Sequence, residues 1–279
     1  MEHQMIFIGG LHRSGTSLLH EILRSHPEIS GITGTSVHRD EGQHLQTVYK
    51  PAKAFGGMAR FGFNKASFMD ENHELATSEN AQKLMLEWGS YWDMSKPALV
   101  EKSPPNLVRS RFLQKLFPNA KFIVILRHPV AVALAAKKWS RMPLPLIIEH
   151  NLRCYERLQQ DLPHLEQAYV LRYEDFVLTP QENIQKLFAW LEVEPFTYQH
   201  NVQSNVNEKY FAAYRQYRSN AGKKLIGEAL GQLRHFEQRA NTFGYSFAEP
   251  ERLLPVPWLG PQHPQPQQTK GAVLRHVTR

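Results

Sequence analysis

The stretch Ile6-Phe-Ile-Gly-Gly-Leu-His-Arg-Ser-Gly-Thr-Ser-Leu-Leu19 decides the fold. An apolar strand ends at Gly9-Gly10, a tight loop follows, and a helix opens near Gly15-Thr16. A turn of this kind aims main-chain N–H groups and the positive end of a helix at one point, which makes an anion site. The spacing from Gly10 to Gly15 imitates the G-x-x-x-x-G-K-[ST] loop of nucleoside triphosphatases. Where that pattern requires lysine this chain has Thr16, and the loop's only cation is Arg13.

The rest of the chain repeats the alternation begun there. Met5–Ile8, Ala98–Val100, Phe122–Leu126 and Tyr169–Leu171 read as buried strands. Between and after them the apolar spacing predicts helices at about 16–25, 78–92, 106–117, 130–140, 146–159, 180–191 and 223–242. His26-Pro27, Phe117-Pro-Asn119 and Thr179-Pro180 mark boundaries. The expected fold is α/β, a P-loop-like parallel sheet with helices on both faces. One domain is expected over residues 1–250. Within it, Ser30–Asp70, rich in glycine and polar residues, reads as a lid or binding loop, or else as disordered. Residues 251–279 read as a Pro/Gln-rich basic tail without structure.

Composition excludes several classes. Among 279 residues the single Cys154 rules out an internal disulfide framework and cysteine-rich zinc modules. No apolar run approaches the length of a membrane span. The N-terminus passes from Met-Glu-His-Gln straight into a strand, so no secretion signal is expected and the default localisation is cytoplasmic. Thirty-three Lys and Arg against twenty-six Asp and Glu give a net charge of +7, a bias toward anionic partners. Lys270, Arg275 and Arg279 lie in a segment free of acids, which leaves +4 for the body. That excess is too small to argue for a nucleic-acid surface and fits a few cations gathered around a small anion.

Three segments together resemble the family of sulfotransferases that use 3′-phosphoadenosine 5′-phosphosulfate (PAPS), closest to the tyrosylprotein and heparan-type branch and similar bacterial enzymes. Arg13-Ser-Gly-Thr-Ser17 resembles the family's 5′-phosphosulfate loop, and Glu101-Lys-Ser-Pro-Pro-Asn106 its Glu-Lys-Ser/Thr-Pro segment. Phe117-Pro-Asn-Ala-Lys-Phe-Ile-Val-Ile-Leu-Arg-His-Pro129 is similar to the family's second nucleotide motif, with Leu171-Arg-Tyr-Glu-Asp175 and Phe243-Gly-Tyr245 as weaker echoes. The resemblance implies a sulfotransferase-type fold, PAPS as donor and a sugar, lipid or small-molecule hydroxyl as acceptor. It also implies a donor site built from Arg13, Ser14, Gly15, Thr16 and Ser17, with Lys102 beside the sulfuryl group and Arg127 on the 3′-phosphate. The family's serine eight residues after that arginine is Ala135 here, so the second anchor is sought in Ser140, Lys137, Lys138 or the group Asn207–Tyr210.

Sulfuryl transfer is an in-line displacement, which needs charge stabilisation, alignment and removal of the acceptor's proton. Arg13, Lys102 and the N–H groups of Ser14–Ser17 suit the first task, and no metal is demanded. For the base, the branch's glutamate would fall near Gly34-Thr35, where no acid stands. Glu41 is favoured, with Asp40, His38 and His12 as alternatives. Lys209, Arg215 and Arg218 form either a basic rim over the cofactor or solvated surface. Trp88, Tyr91 and Trp92 at helical spacing read as core, as does Cys154; Trp139 reads as core in preference to a border of the adenine, Glu101 as a strand-end partner for a cation, and Glu174 and Asp175 as caps or bridges around the following loop. A P-loop kinase or NTPase is the first rival, opposed by the missing loop lysine and by the absence of an aspartate after Phe122–Leu126 to hold Mg²⁺. A non-catalytic nucleotide-binding protein is the second.

Overall fold

A computed structural model describes residues 3–222 and 228–262. Its centre is a six-stranded sheet among the described residues, ordered β2-β3-β1-β4-β5-β6. The strands are β1 (Gln4–Gly10), β2 (Ile29–Gly31), β3 (Ala98–Lys102), β4 (Lys121–Leu126), β5 (Ala168–Arg172) and β6 (Gly260–Gln262). β1 runs parallel to β3 on one side and β4 on the other; β2 and β5 extend these parallel pairings, and β6 joins β5 antiparallel.

Successive side chains of a strand point to opposite faces. Met5 and Phe7 therefore enter one core, and Ile6 and Ile8 the other. The first core is closed by α2 (Ser78–Gly89), α3 (Ser110–Leu116), α4 (Pro129–Ala136), α5 (Leu144–Asp161), α8 (Glu208–Gly222) and α9 (Glu228–Asn241). The second is closed by α1 (Thr16–Arg24), α6 (Tyr173–Leu178) and α7 (Pro180–Leu191). Burial on both faces is why β4 reads Phe-Ile-Val-Ile-Leu without a polar break. The doubly covered parallel sheet agrees with the expected class. Among the described residues no helix is long and apolar enough to cross a membrane.

After β1 the chain crosses to β2 on one side of the sheet, and after β3 it crosses back to β4 on the other. Such a switch opens a crevice at the carboxyl ends of the central strands. The loop after β1, Ser103–Pro105 after β3, Arg127 after β4 and Tyr173 after β5 all emerge there.

The stretch 30–70 differs from the loop expected. Its first two residues belong to β2, and short 3₁₀ turns recur at His38–Asp40, Gly42–His44, Ala52–Phe55, Phe61–Phe63 and Lys65–Ser67. It is pinned to the body: Trp88 Nε1 donates to the Gly42 carbonyl at 2.9 Å, Gln43 N to Ser103 Oγ at 2.9 Å and Met69 N to the Val108 carbonyl at 3.3 Å. The tail boundary also moves. Gly260–Gln262 pair with β5, and Arg172 Nη1 donates to the Leu254 carbonyl, so residues 251–262 pack as part of the body. Residues 263–279 lie outside the described residues, as does the 223–227 start of the helix expected at 223–242.

Candidate active site

The loop after β1 carries the features of an anion cradle. Gly15 has φ +109°, and a Cβ there would stand 2.8 Å from Tyr173 Cδ2, so glycine alone fits. It opens α1 with no side-chain cap and no acid in the first turn. The first N–H groups of that helix and its positive end are thus uncompensated. Ser14 Oγ is buried there without a hydrogen-bond partner. Arg13, at φ 75°, turns its carbonyl toward Arg127 and lays its guanidinium 4.8 Å from the Trp139 ring. Trp139 is 60% exposed and lines the cavity, so of its two readings the preferred one, core packing, is corrected.

Arg127 directly follows β4 and is held by a side-chain amide, a main-chain carbonyl and an aromatic ring. Its Nε and Nη2 donate to Asn207 Oδ1 at 2.9 and 2.7 Å, its Nη1 donates to the Arg13 carbonyl at 2.7 Å, and its plane lies 4.2 Å from the Tyr173 ring. A guanidinium has five N–H bonds, so one on each terminal nitrogen remains for a ligand. Glu174 is more than a local cap: it accepts from His128 N, Asn207 Nδ2 and Tyr245 Oη, joining three distant segments. Ala135 is buried, while Lys137 and Ser140 are engaged at Met142. Of the groups weighed to replace the missing serine, Asn207 and Tyr210 are the ones beside Arg127. Lys209 is exposed over the Tyr210 ring and has no place in the cavity wall. Arg215 pairs with Glu251, and Arg218 donates to the Phe247 and Ala248 carbonyls, so neither is a free rim cation.

A cavity of about 500 Å³ joins these parts. Arg13, Gly15, Thr16, Ser17, Arg127 and Tyr173 line it together with His12, His38, Arg39, Glu41, His44 and Met58. Lys102 is not in that wall. It is fully buried behind it, its Nζ 3.5 Å from Glu41 Oε1 and donating to the Arg39 carbonyl at 2.7 Å. Burial lowers its pKa, opposed mainly by the charge of Glu41. Glu41 Oε2 accepts from Gln43 Nε2 at 2.6 Å.

The alternative bases separate by chemistry. Burial alone would raise the Asp40 pKa, but hydrogen bonds from Thr35 N and Oγ1 outweigh it and hold the carboxyl below its usual range, making Asp40 a weak base. His12 is pushed down to about 4 by burial, with Nδ1 buried and unpartnered, so it is neutral at pH 7. Its ring lines the cavity and can donate or accept there as a neutral imidazole. His38 is exposed at the rim.

Glu101 departs from the cation partner expected. It is fully buried, and its direct partners are Ser103 Oγ and Asn106 Nδ2, each at 2.6 Å. Burial pushes its pKa up to about 7, against those two hydrogen bonds. Asn207, one of the groups proposed to back Arg127, is its clamp. Sequence reasoning missed Gln43 and Tyr173; Tyr173 lies inside Leu171-Arg-Tyr-Glu-Asp175, whereas Gln43 carries no local signal, because only the folded chain brings it to its partners.

The sequence profile described as Sulfotransferase family matches residues 5–198. The protein-tyrosine sulfotransferase of Drosophila melanogaster is 27% identical over 207 residues, 69% of this chain and 38% of that protein. The nodulation protein NoeE of Sinorhizobium fredii is 24% identical over 226 residues, 68% of this chain and 50% of that protein. The chain thus spans less than two thirds of either relative. The sulfotransferase domain from the Synechococcus PCC 7002 olefin synthase superposes with a TM-score of 0.48 at 17% identity, covering 88% of this chain and 97% of that one. With the profile spanning more than half of its length, the chain belongs to the sulfotransferase family.

Proposed function

We propose that the protein transfers a sulfuryl group from PAPS to a hydroxyl acceptor. The observation that carries the reading is the convergence, on one cavity, of an uncapped helix N-terminus, Arg13 and Arg127. These residues fit a nucleotide polyanion: Arg13, Gly15, Thr16 and Ser17 of the loop line the cavity, Ser14 being buried beneath it, and Arg127 keeps two unused N–H bonds. PAPS supplies a sulfuryl group on a phosphate leaving group. Arg13 and the N–H groups of Thr16 and Ser17 take the 5′ end, and Arg127, steadied by Asn207, takes the 3′-phosphate. Lys209 is assigned no contact.

Glu41, in the wall of the same cavity, receives the acceptor's proton. Lys102 acts through Glu41, holding the carboxylate in place from behind the wall. A hydroxyl acceptor is supported by the Drosophila relative, which is named for sulfation of protein tyrosine.

Calorimetry with adenosine 3′,5′-bisphosphate against ATP with Mg²⁺ tests the reading. The bisphosphate is expected to bind more tightly. Tight ATP binding with no bisphosphate binding would remove PAPS as donor and favour the NTPase alternative.

A further inference from the structure

Behind Glu41 runs a continuous buried polar chain. Ser103 Oγ donates to Glu101 Oε1 at 2.6 Å and accepts from Gln43 N at 2.9 Å. Gln43 Nε2 then donates to Glu41 Oε2 at 2.6 Å, leaving Oε1 turned toward Lys102. Glu101, Ser103 and Gln43 are each at most 1% exposed. Glu101 is anchored by Asn106 Nδ2, which also donates to the Ile8 carbonyl at the end of β1. Gly42, between the base and Gln43, fits against the Glu101 carboxyl so closely that a Cβ would stand 2.6 Å from Oε1. The strand ends are rigid, whereas Glu41 sits on a loop; a carboxylate on a loop holds a productive geometry only when packed groups fix it.

We propose that Ser103 and Gln43 are positioning residues: they transmit the placement of Glu101, at the end of β3, to the carboxylate of Glu41. The proposal rests on the reading of Glu41 as the base, and it assigns Ser103 no contact with either substrate. Ser103 fits the task because a hydroxyl accepts and donates at once, so it bridges a carboxylate and a main-chain N–H. Alanine cannot bridge them, and threonine can.

Three measurements on Ser103→Ala, Ser103→Thr and Gln43→Leu test it. The first is the titration of Lys102, followed by NMR of its side-chain methylene carbon. Glu41 is the leading influence that holds this ammonium up against burial, so a displaced Glu41 makes Lys102 titrate at lower pH than in the wild type. The second is the rate of bisphosphate release from PAPS with water as acceptor. The third is calorimetric affinity for adenosine 3′,5′-bisphosphate.

Ser103→Ala and Gln43→Leu are expected to lower the Lys102 titration and to slow release about ten-fold or more, with affinity unchanged within about two-fold. Ser103→Thr is expected to restore both. An unmoved Lys102 titration in Ser103→Ala overturns the proposal, as does a parallel loss of affinity and rate that threonine does not rescue, which marks a general packing role. A wild type that fails to bind the bisphosphate removes the sulfotransfer reading instead, and the Lys102 titration still decides whether Ser103 places Glu41.

Discussion

Replacing Glu101 by glutamine removes a titrating proton from the most buried part of the site. The folded carboxyl has its pKa raised from 4.5 to about 7, chiefly by burial. Between those values the folded chain holds a proton that the unfolded chain has released. Stability therefore falls as pH rises through this window, by at most about 1.4 kcal/mol per pH unit. Integrated over the shift, the ionised form costs about 3 kcal/mol above pH 7 relative to pH 4.5.

Glutamine carries no such proton. At pH 5 the wild-type carboxyl is itself protonated and, like the amide, offers one acceptor oxygen and one donor to Ser103 Oγ and Asn106 Nδ2, so the two proteins are expected to be of similar stability there. With rising pH Glu101→Gln should become the more stable as the wild type loses its advantage. Urea unfolding of both proteins from pH 4.5 to 8.5 at constant ionic strength measures the difference. The buried histidines titrate in both proteins and cancel in it. A difference that stays flat across the range would refute the reasoning, because the folded carboxyl would then titrate like an unfolded one.

Arg127→Ala removes three donor contacts and the charge, and affinity for adenosine 3′,5′-bisphosphate should fall about 10- to 100-fold; unchanged calorimetric affinity would sink its placement on the 3′-phosphate. Gly15→Ala puts a Cβ 2.8 Å from Tyr173 at φ +109°, and a stability loss of about 1–3 kcal/mol is expected by urea midpoint. Burial lowers His128 and His150 from 6.5 to about 4, so the folded chain binds fewer protons than the unfolded one between those values. That contribution is present above pH 6.5 and lost as pH falls toward 4, by up to about 3 kcal/mol per group. His150→Phe should flatten this acid limb in unfolding curves, and an unaltered limb would show that His150 is not responsible.

What the sequence disclosed and what it hid follow from the range of the interactions involved. β1, the glycine turn and α1 are local: apolar alternation, Gly15 and the helix start lie within fourteen consecutive residues, and the anion cradle was legible from them. Arg127 was singled out by the resemblance of residues 117–129 to the family's second nucleotide motif, and the fold puts it in the wall of the same cavity as the loop after β1. α8 escaped because its polar composition gives weak periodicity, and β2 and β6 because strands of three residues leave almost no pattern. Glu101 looked like a strand-end partner for a cation, and Lys102 is next to it in the chain. Neighbours on a strand point to opposite faces, however, and Glu101 turns instead to Ser103 and Asn106.

The same contrast explains the turn that holds Lys102. Arg39 and Asp40 adopt φ of 60° and 50°, and a left-handed residue other than glycine costs about 1–2 kcal/mol. A buried ammonium without partners costs several kcal/mol. The turn meets that demand by delivering the Arg39 carbonyl to Lys102 Nζ at 2.7 Å and bringing Glu41 to 3.5 Å, while Thr35 holds Asp40 through both its N–H and its hydroxyl. Relaxing the turn would strand the ammonium, and removing the ammonium would leave the Thr35–Asp40 hydrogen bonds to offset the strain alone. Segment 35–41 is therefore the outer wall of Lys102, which keeps the lysine out of the cavity and leaves Arg39, Glu41 and His38 facing it.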